Sequence, residues 1–305
     1  MTRPLREPHT FELYGLPFET VEPIPRTFPC PAPLAAPLRF STAVVPPQLL
    51  DPIAEDEHVQ GTEDTLLFRH PKAPRLRVTA GTTVEAEPLS GQCSEDEYWY
   101  TVLSVAAAFA GLQRGHYALH AATVAREGLA IAIAGEPGAG KSTLATALCA
   151  HGASLVTEDL SLIQRRGSDW IVGRGPAQVR LLPDAMERFR VEGVSRRSTD
   201  RKRFVDLPSA GAPPPLRQVY FLRVGEGASD CRIRPLTAME AMQGLLANNR
   251  FCLRPDRAPA AAREGLFRTV AALANELQFF EVVREPGLAG LPGLVEALGR
   301  QMRDS

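Results

Sequence analysis

Residues 135–142, GEPGAGKS, match the spacing G-x-x-x-x-G-K-[ST], a pattern whose chemistry is the grip of a polyphosphate. Gly135, Gly138 and Gly140 permit positive φ and close backbone approach, so successive amides turn inward around phosphate oxygens. Glu136, Pro137 and Ala139 complete the loop, and Lys141 is placed to bridge β- and γ-phosphates. Ser142 supplies a hydroxyl for magnesium, and Thr143 follows it at the start of a helix. The flanks fit the pattern: an apolar run, LAIAIA, leads in and helix-forming KSTLATALCAH leads out.

Phosphoryl transfer also needs carboxylates, for the metal and for the attacking hydroxyl. Glu158 and Asp159 end the apolar run ASLVT that follows the loop's helix, where strand ends beside such a loop meet ligands. They read equally as exposed turn residues or a helix cap. His120 is a third candidate. Two alternating runs, HYALHAATVA and LAIAIAG, flank Arg126-Glu127-Gly128 at hairpin spacing. Pairing about Glu127 puts residue 120 opposite residue 134, at the mouth of the loop. Standing alone, His120 reads as a hydrogen-bonded structural histidine. Arg196, Arg197, Arg201, Lys202 and Arg203 form a basic cluster, of which Arg201, Lys202 and Arg203 are candidates to close on phosphate or an acidic substrate. A solvated loop is the other reading.

These residues need an α/β scaffold with a mixed sheet, because LSLIQ, DWIV and QVRLL are short strands with no helices between them. Ser94 and Glu97 make a capping box before a helix over about 95–110. Thr237 and Glu240 cap another to about Asn248, FFEVV is a closing strand, and a last helix lies near 292–302. Twelve of the 27 prolines fall within residues 1–52, which predicts extended chain with short edge strands there. The composition changes at Ser94, so the expected division is a smaller Pro-rich, β-rich N-terminal domain at 1–92 and a P-loop kinase domain at 93–305.

The net charge of -1 argues against broad attachment to nucleic acid or anionic membrane. Five scattered cysteines without a CxxC pair indicate neither zinc nor a disulfide framework. No apolar leader opens the chain and no window has about 20 apolar residues, so the cytoplasm is the default compartment.

The segment LHAATVAREGLAIAIAGEPGAGKSTLATALCAHGASLVTEDLSLI resembles the core of the HPr kinase/phosphorylase family, and more closely that family's serine kinase-like relatives associated with lasso-peptide biosynthesis. In the family a histidine lies fifteen residues before the first P-loop glycine, the place of His120. Its acidic pair follows the lysine by seventeen and eighteen residues, the places of Glu158 and Asp159. The resemblance implies Mg2+ bound at Glu158 and Asp159 as the general base that activates a serine hydroxyl. It also implies an assembly of like chains, a homo-oligomer. Glu158 stands where the family has aspartate, and the downstream E-x-R-G and PGRN signatures are missing, so the reverse dephosphorylation is not implied.

The expected function is therefore an ATP-dependent kinase acting on a hydroxyl of a peptide or small protein. A small-molecule kinase on the same core and a non-catalytic nucleotide-sensing regulator are the alternatives. Neither NKxD nor LSGGQ is present, which argues against the common GTPase and transporter-ATPase forms.

Overall fold

The structure is a computed structural model that describes residues 7–25, 27–30, 36–91, 93–189, 196–197, 202–212, 214–225, 231–250 and 260–303. The fold is mixed α/β. Two compact units divide the chain, one running to Gly115 and the other holding His116–Arg250 and the chain from Leu266 onward.

The first unit is a nine-stranded sheet with one long helix, α1 (Glu95–Gln113). The two-residue strand Phe28–Pro29 forms one edge of the sheet, as proline requires. No proline falls between Pro37 and Pro46, and Leu38–Thr42 in that gap is an interior strand, parallel to both neighbours, where the composition predicts only edges. The Ser94–Glu97 capping box starts α1, and its central run Val102–Gly111 is buried throughout. It packs over the strand Leu76–Thr79, while Gln113 accepts from the Gly81 amide and donates to the Asp64 carbonyl. The change at Ser94 thus marks the start of this helix. The expected boundary at 92 is displaced to Gly115, because the apolar surface of α1 is spent on the first unit's sheet.

The second unit is built on a six-stranded sheet. Its elements begin with β1 (Tyr117–Leu119), β2 (Ala121–Arg126), β3 (Leu129–Ala134), α2 (Lys141–Ala150) and β4 (Ser154–Thr157). After them come β5 (Ser161–Arg166), β6 (Asp169–Val172), β7 (Gln178–Leu181) and β8 (Arg203–Asp206). The chain continues through β9 (Leu216–Val224), β10 (Arg232–Pro235), α3 (Ala238–Ala247), β11 (Gln278–Arg284) and α4 (Leu291–Arg303). The strand order is β4-β2-β3-β9-β11-β10, parallel at β3–β9 and β9–β11 and antiparallel elsewhere. β1 leaves this sheet to pair with β5, and β7 pairs with β8, so strand–helix alternation breaks down here as the sequence predicts.

The alternation in LAIAIA decides what covers each face. Ile131 and Ile133 point to the side of α2 and α4, packing with Leu144, Leu148, Leu294 and Leu298. Ala130, Ala132 and Ala134 point to the other side, where Leu245 of α3 and Val270 and Leu273 pack. The β2–β3 turn places both Glu127 (φ 51°) and Gly128 (φ 83°) in the left-handed region, the signature of a two-residue hairpin turn. The turn's centre therefore falls between them, not on Glu127. Ala121 is opposite Ala134, one residue from the expected register, and His120 and Gly135 are the residues just beyond this last pair.

Candidate functional site

The site lies where β3 ends and α2 begins. Gly135, Gly138 and Gly140 have φ of 142°, 86° and 98°. Gly135 is also forced by packing: a Cβ there would sit 2.3 Å from the Leu222 carbonyl oxygen of the neighbouring β9. Its amide donates to the Asn248 side-chain oxygen at 3.0 Å. At the far end of the loop, Arg284 from β11 donates Nε and Nη2 to the Ala139 carbonyl at 3.0 and 2.9 Å. Its Nη1 donates to the Glu285 and Gly287 carbonyls, so the loop is fastened at both ends. Ala139 is buried beneath it, while Glu136 and Pro137 are exposed at its crest. Gly140 is the N-cap of α2 and has no side chain to offer, leaving the first-turn amides, Thr143 among them, without a side-chain cap.

Lys141 is buried, and its Nζ donates to the carbonyls of Gly135 at 2.7 Å and Glu136 at 3.2 Å. Burial pushes its amine pKa down, against the pull of Asp159 and Glu158. Next to it, the Ser142 hydroxyl donates to Glu158 Oε1 at 2.6 Å. Glu158 and Asp159 are each 6% exposed, which removes the reading of them as exposed turn residues. One carboxylate and one hydroxyl in contact fit magnesium, a hard cation that takes few protein ligands and completes its shell with phosphate and water. Among the described residues no group of three or more His, Cys, Asp or Glu could hold a metal without such help.

Asp159 has a left-handed backbone (φ 66°), which turns it away from the path of Glu158. Its Oδ2 accepts from Arg250 Nη2 at 2.7 Å, Oδ1 lies 3.3 Å from His120 Nδ1, and Arg180 Nη2 stands 4.0 Å off. The His120 Nδ1 is 3.0 Å from the Asp159 backbone oxygen as well. Burial alone would raise the Asp159 pKa. Arg250 foremost, with His120, Arg180 and Lys141, outweighs burial and holds the carboxyl below its ordinary range. Burial pushes His120 down to about 4, Asp159 opposing and Arg250 and Lys141 adding to the fall. At neutral pH the imidazole is thus uncharged, and Arg250 foremost, with Arg180 and Lys141, keeps Asp159 ionised.

The structure therefore gathers Lys141, Ser142, Glu158, Asp159 and His120 around one loop. Of the basic cluster, Lys202 is near enough for its charge to lower the Lys141 pKa, and Arg203 lies opposite Leu181 in the β7–β8 pair. Arg201 lies outside the described residues. Arg180, Asn248, Arg250 and Arg284 were not singled out by the sequence. The only signal for two of them is the polar run Asn248-Asn249-Arg250 directly after α3. Asn249 bridges to Leu119, and the Asn248 carbonyl receives the His120 amide at 2.8 Å, so this run closes the site beside β1.

No protein-family profile matches the chain, and no curated protein matches it in sequence. Among solved structures, the Hpr(Ser) kinase/phosphatase from Coxiella burnetii is similar at 15% identity, over 61% of this chain and 95% of that one, with a TM-score of 0.32. That likeness is distant. It decides nothing about the site, whose reading rests on the geometry above. Among the described residues no helix is long and apolar enough to cross a membrane.

Proposed function

We propose that this protein is an ATP-dependent kinase that transfers the γ-phosphoryl group to a hydroxyl, a serine of a peptide or small protein. The observation that carries the reading is the contact of Ser142 with Glu158 beside a buried Lys141, on a glycine loop with uncapped helix amides. A carboxylate–imidazole pair stands against the same loop. Phosphoryl transfer asks for positioning and charge neutralisation more than for covalent chemistry, and these residues supply both.

In this reading the loop amides and the start of α2 cradle the phosphates. Lys141 leaves the Gly135 and Glu136 carbonyls, which hold it at 2.7 and 3.2 Å, to meet the β- and γ-phosphates. Ser142 and Glu158 would hold magnesium, which when bound neutralises phosphate charge. Asp159 and His120 handle the proton of the acceptor hydroxyl. The choice of a serine in a peptide rests on the resemblance of residues 119–163 to the HPr kinase-like proteins; the departures at Glu158 and in the downstream signatures favour a forward kinase without the reverse reaction.

The test is ADP formation by the purified chain with MgATP, alone and with pooled serine-containing peptides. Peptide-dependent turnover supports the proposal. Turnover with hydroxylated metabolites but not peptides moves the acceptor to small molecules, and tight MgATP binding without turnover replaces the kinase with a sensing module.

A further inference from the structure

Two hydrogen-bond acceptors face one nitrogen of His120. The Asp159 backbone oxygen is 3.0 Å and its Oδ1 3.3 Å from Nδ1. A carbonyl oxygen only accepts, and an ionised carboxylate only accepts, so Nδ1 must carry the ring hydrogen. The lone pair of the neutral ring is then on Nε2. Nε2 has no partner among the described residues, and the side chain stays 17% exposed. Asp159, in contrast, is committed: Oδ2 to Arg250 at 2.7 Å and Oδ1 to the imidazole.

On the kinase reading, we infer that His120 Nε2 takes the proton of the acceptor hydroxyl, and that Asp159 is a positioning residue that aims the ring and stabilises its charged form. The acceptor oxygen forms a bond to the γ-phosphorus as the bond from that phosphorus to the β–γ bridging oxygen breaks. The electron pair of the broken bond leaves with ADP, the hydroxyl proton passes to Nε2, and the imidazolium later returns it to water. A carboxylate bonded to a guanidinium and to the ring has its oxygens engaged, whereas the imidazole keeps an open lone pair on Nε2 to take the proton. The charged groups facing the ring are Asp159 after β4, Arg250 after α3 and Lys141 at the start of α2. Triphosphate binding sets negative charge against the two cations, which raises the basicity of the ring at the moment it is needed.

Three measurements on the full chain test this. Long-range proton–nitrogen NMR on nitrogen-15-labelled protein should find the neutral Nδ1–H tautomer at His120; an Nε2–H tautomer overturns the inference. Single-turnover ADP formation from MgATP, with pooled serine peptides or with water alone as acceptor, should fall about 10²–10⁴-fold in His120→Ala. MgATP affinity should stay level, and free imidazole should restore part of the rate. Asp159→Asn should lose less, since the backbone carbonyl still fixes the tautomer, and the acid limb of its pH–rate profile should move to lower pH. Asp159→Glu should move that limb back. If Asp159→Asn loses the larger share while His120→Ala is mild and indifferent to imidazole, the proton goes to Asp159. No turnover by the wild type with MgATP bound overturns the kinase reading and this inference together. Turnover that ignores His120→Ala overturns this inference alone.

Discussion

Ser142 and Glu158, sixteen residues apart, are joined by a 2.6 Å hydrogen bond from hydroxyl to carboxylate. The bond ties the first turn of α2 to the end of β4. Thr146 reinforces it from the next turn, its hydroxyl donating to the Ser142 carbonyl at 2.8 Å. Both ends are side chains whose oxygens suit magnesium, so on the proposed kinase reading this contact sets side by side the two groups that would hold the metal.

Glu158→Gln keeps an acceptor for Ser142 and removes the charge. The protein should fold with its stability within about 1 kcal/mol of wild type. Its affinity for MgATP should fall at least about tenfold, the scale of one lost charged contact. Removing magnesium with EDTA should weaken nucleotide binding in the wild type and change little further in the variant. Calorimetric titration of both proteins with ATP, with and without the metal, measures this; equal MgATP affinity in both assigns Glu158 to structure alone.

Lys141→Ala should cut turnover more than about tenfold, because it removes charge stabilisation that the transition state uses. Stability should hold within about 1 kcal/mol. The Nζ is desolvated and, among the described residues, donates to the Gly135 and Glu136 carbonyls, of which Glu136 lies on the loop's exposed crest and can turn to water. Thermal unfolding and steady-state ADP formation on one preparation check both halves.

What the sequence reveals about the site, and what it hides, divides by chain distance. The strand–loop–helix around residues 129–150 is legible because its signals are local: period-two Ile and Ala, three glycines and a helix-forming run. The hairpin register came within one residue, missing only because both turn residues take positive φ. The boundary at 92 failed for a different reason. A composition change reports where a helix starts, not which sheet it covers. Arg250 reaches Asp159 from 91 residues away, and Asn248 reaches Gly135 from 113. Nothing in a polar run after a helix says what it will touch, because that depends on a crossover through α3 back to β1. Lone arginines such as Arg180 and Arg284 look like any surface cation until the fold turns them inward.

Gly135→Ala should be the most damaging of the loop glycine-to-alanine changes. The added Cβ would meet the Leu222 carbonyl oxygen at 2.3 Å, a backbone atom of an interior strand that cannot step aside. An expected loss of about 2–4 kcal/mol follows from overpacking combined with a φ of 142°. Gly138→Ala meets nothing within 4 Å and carries only the strain of its φ of 86°, so its loss should be about 1 kcal/mol. Urea unfolding of the two variants ranks them, and a larger loss at Gly138 contradicts the packing argument.

The pH dependence of stability should carry the mark of His120. Its pKa falls from 6.5 in the unfolded chain to about 4 in the fold, chiefly through burial. Between those values the unfolded chain binds a proton that the folded chain does not, so stability rises with pH across that window. Put the other way, acidification from pH 6.5 to 4 should cost about 3 kcal/mol, and below pH 4 this contribution is constant. Asp159 does not confuse the reading. Arg250 and its other cationic neighbours keep its pKa below the ordinary carboxylate range, so its own loss begins only as the pH falls below the unfolded value of 3.8. His120→Gln cannot charge, and its stability should be flatter than wild type from pH 6.5 to 4, with the two curves parallel above pH 7. Urea unfolding midpoints measured at half-unit steps of pH give both curves. A wild-type curve as flat as that of His120→Gln would mean that the ring protonates in the fold as readily as in the unfolded chain, and below pH 6.5 Arg250 would then share the neutralisation of Asp159 with an imidazolium.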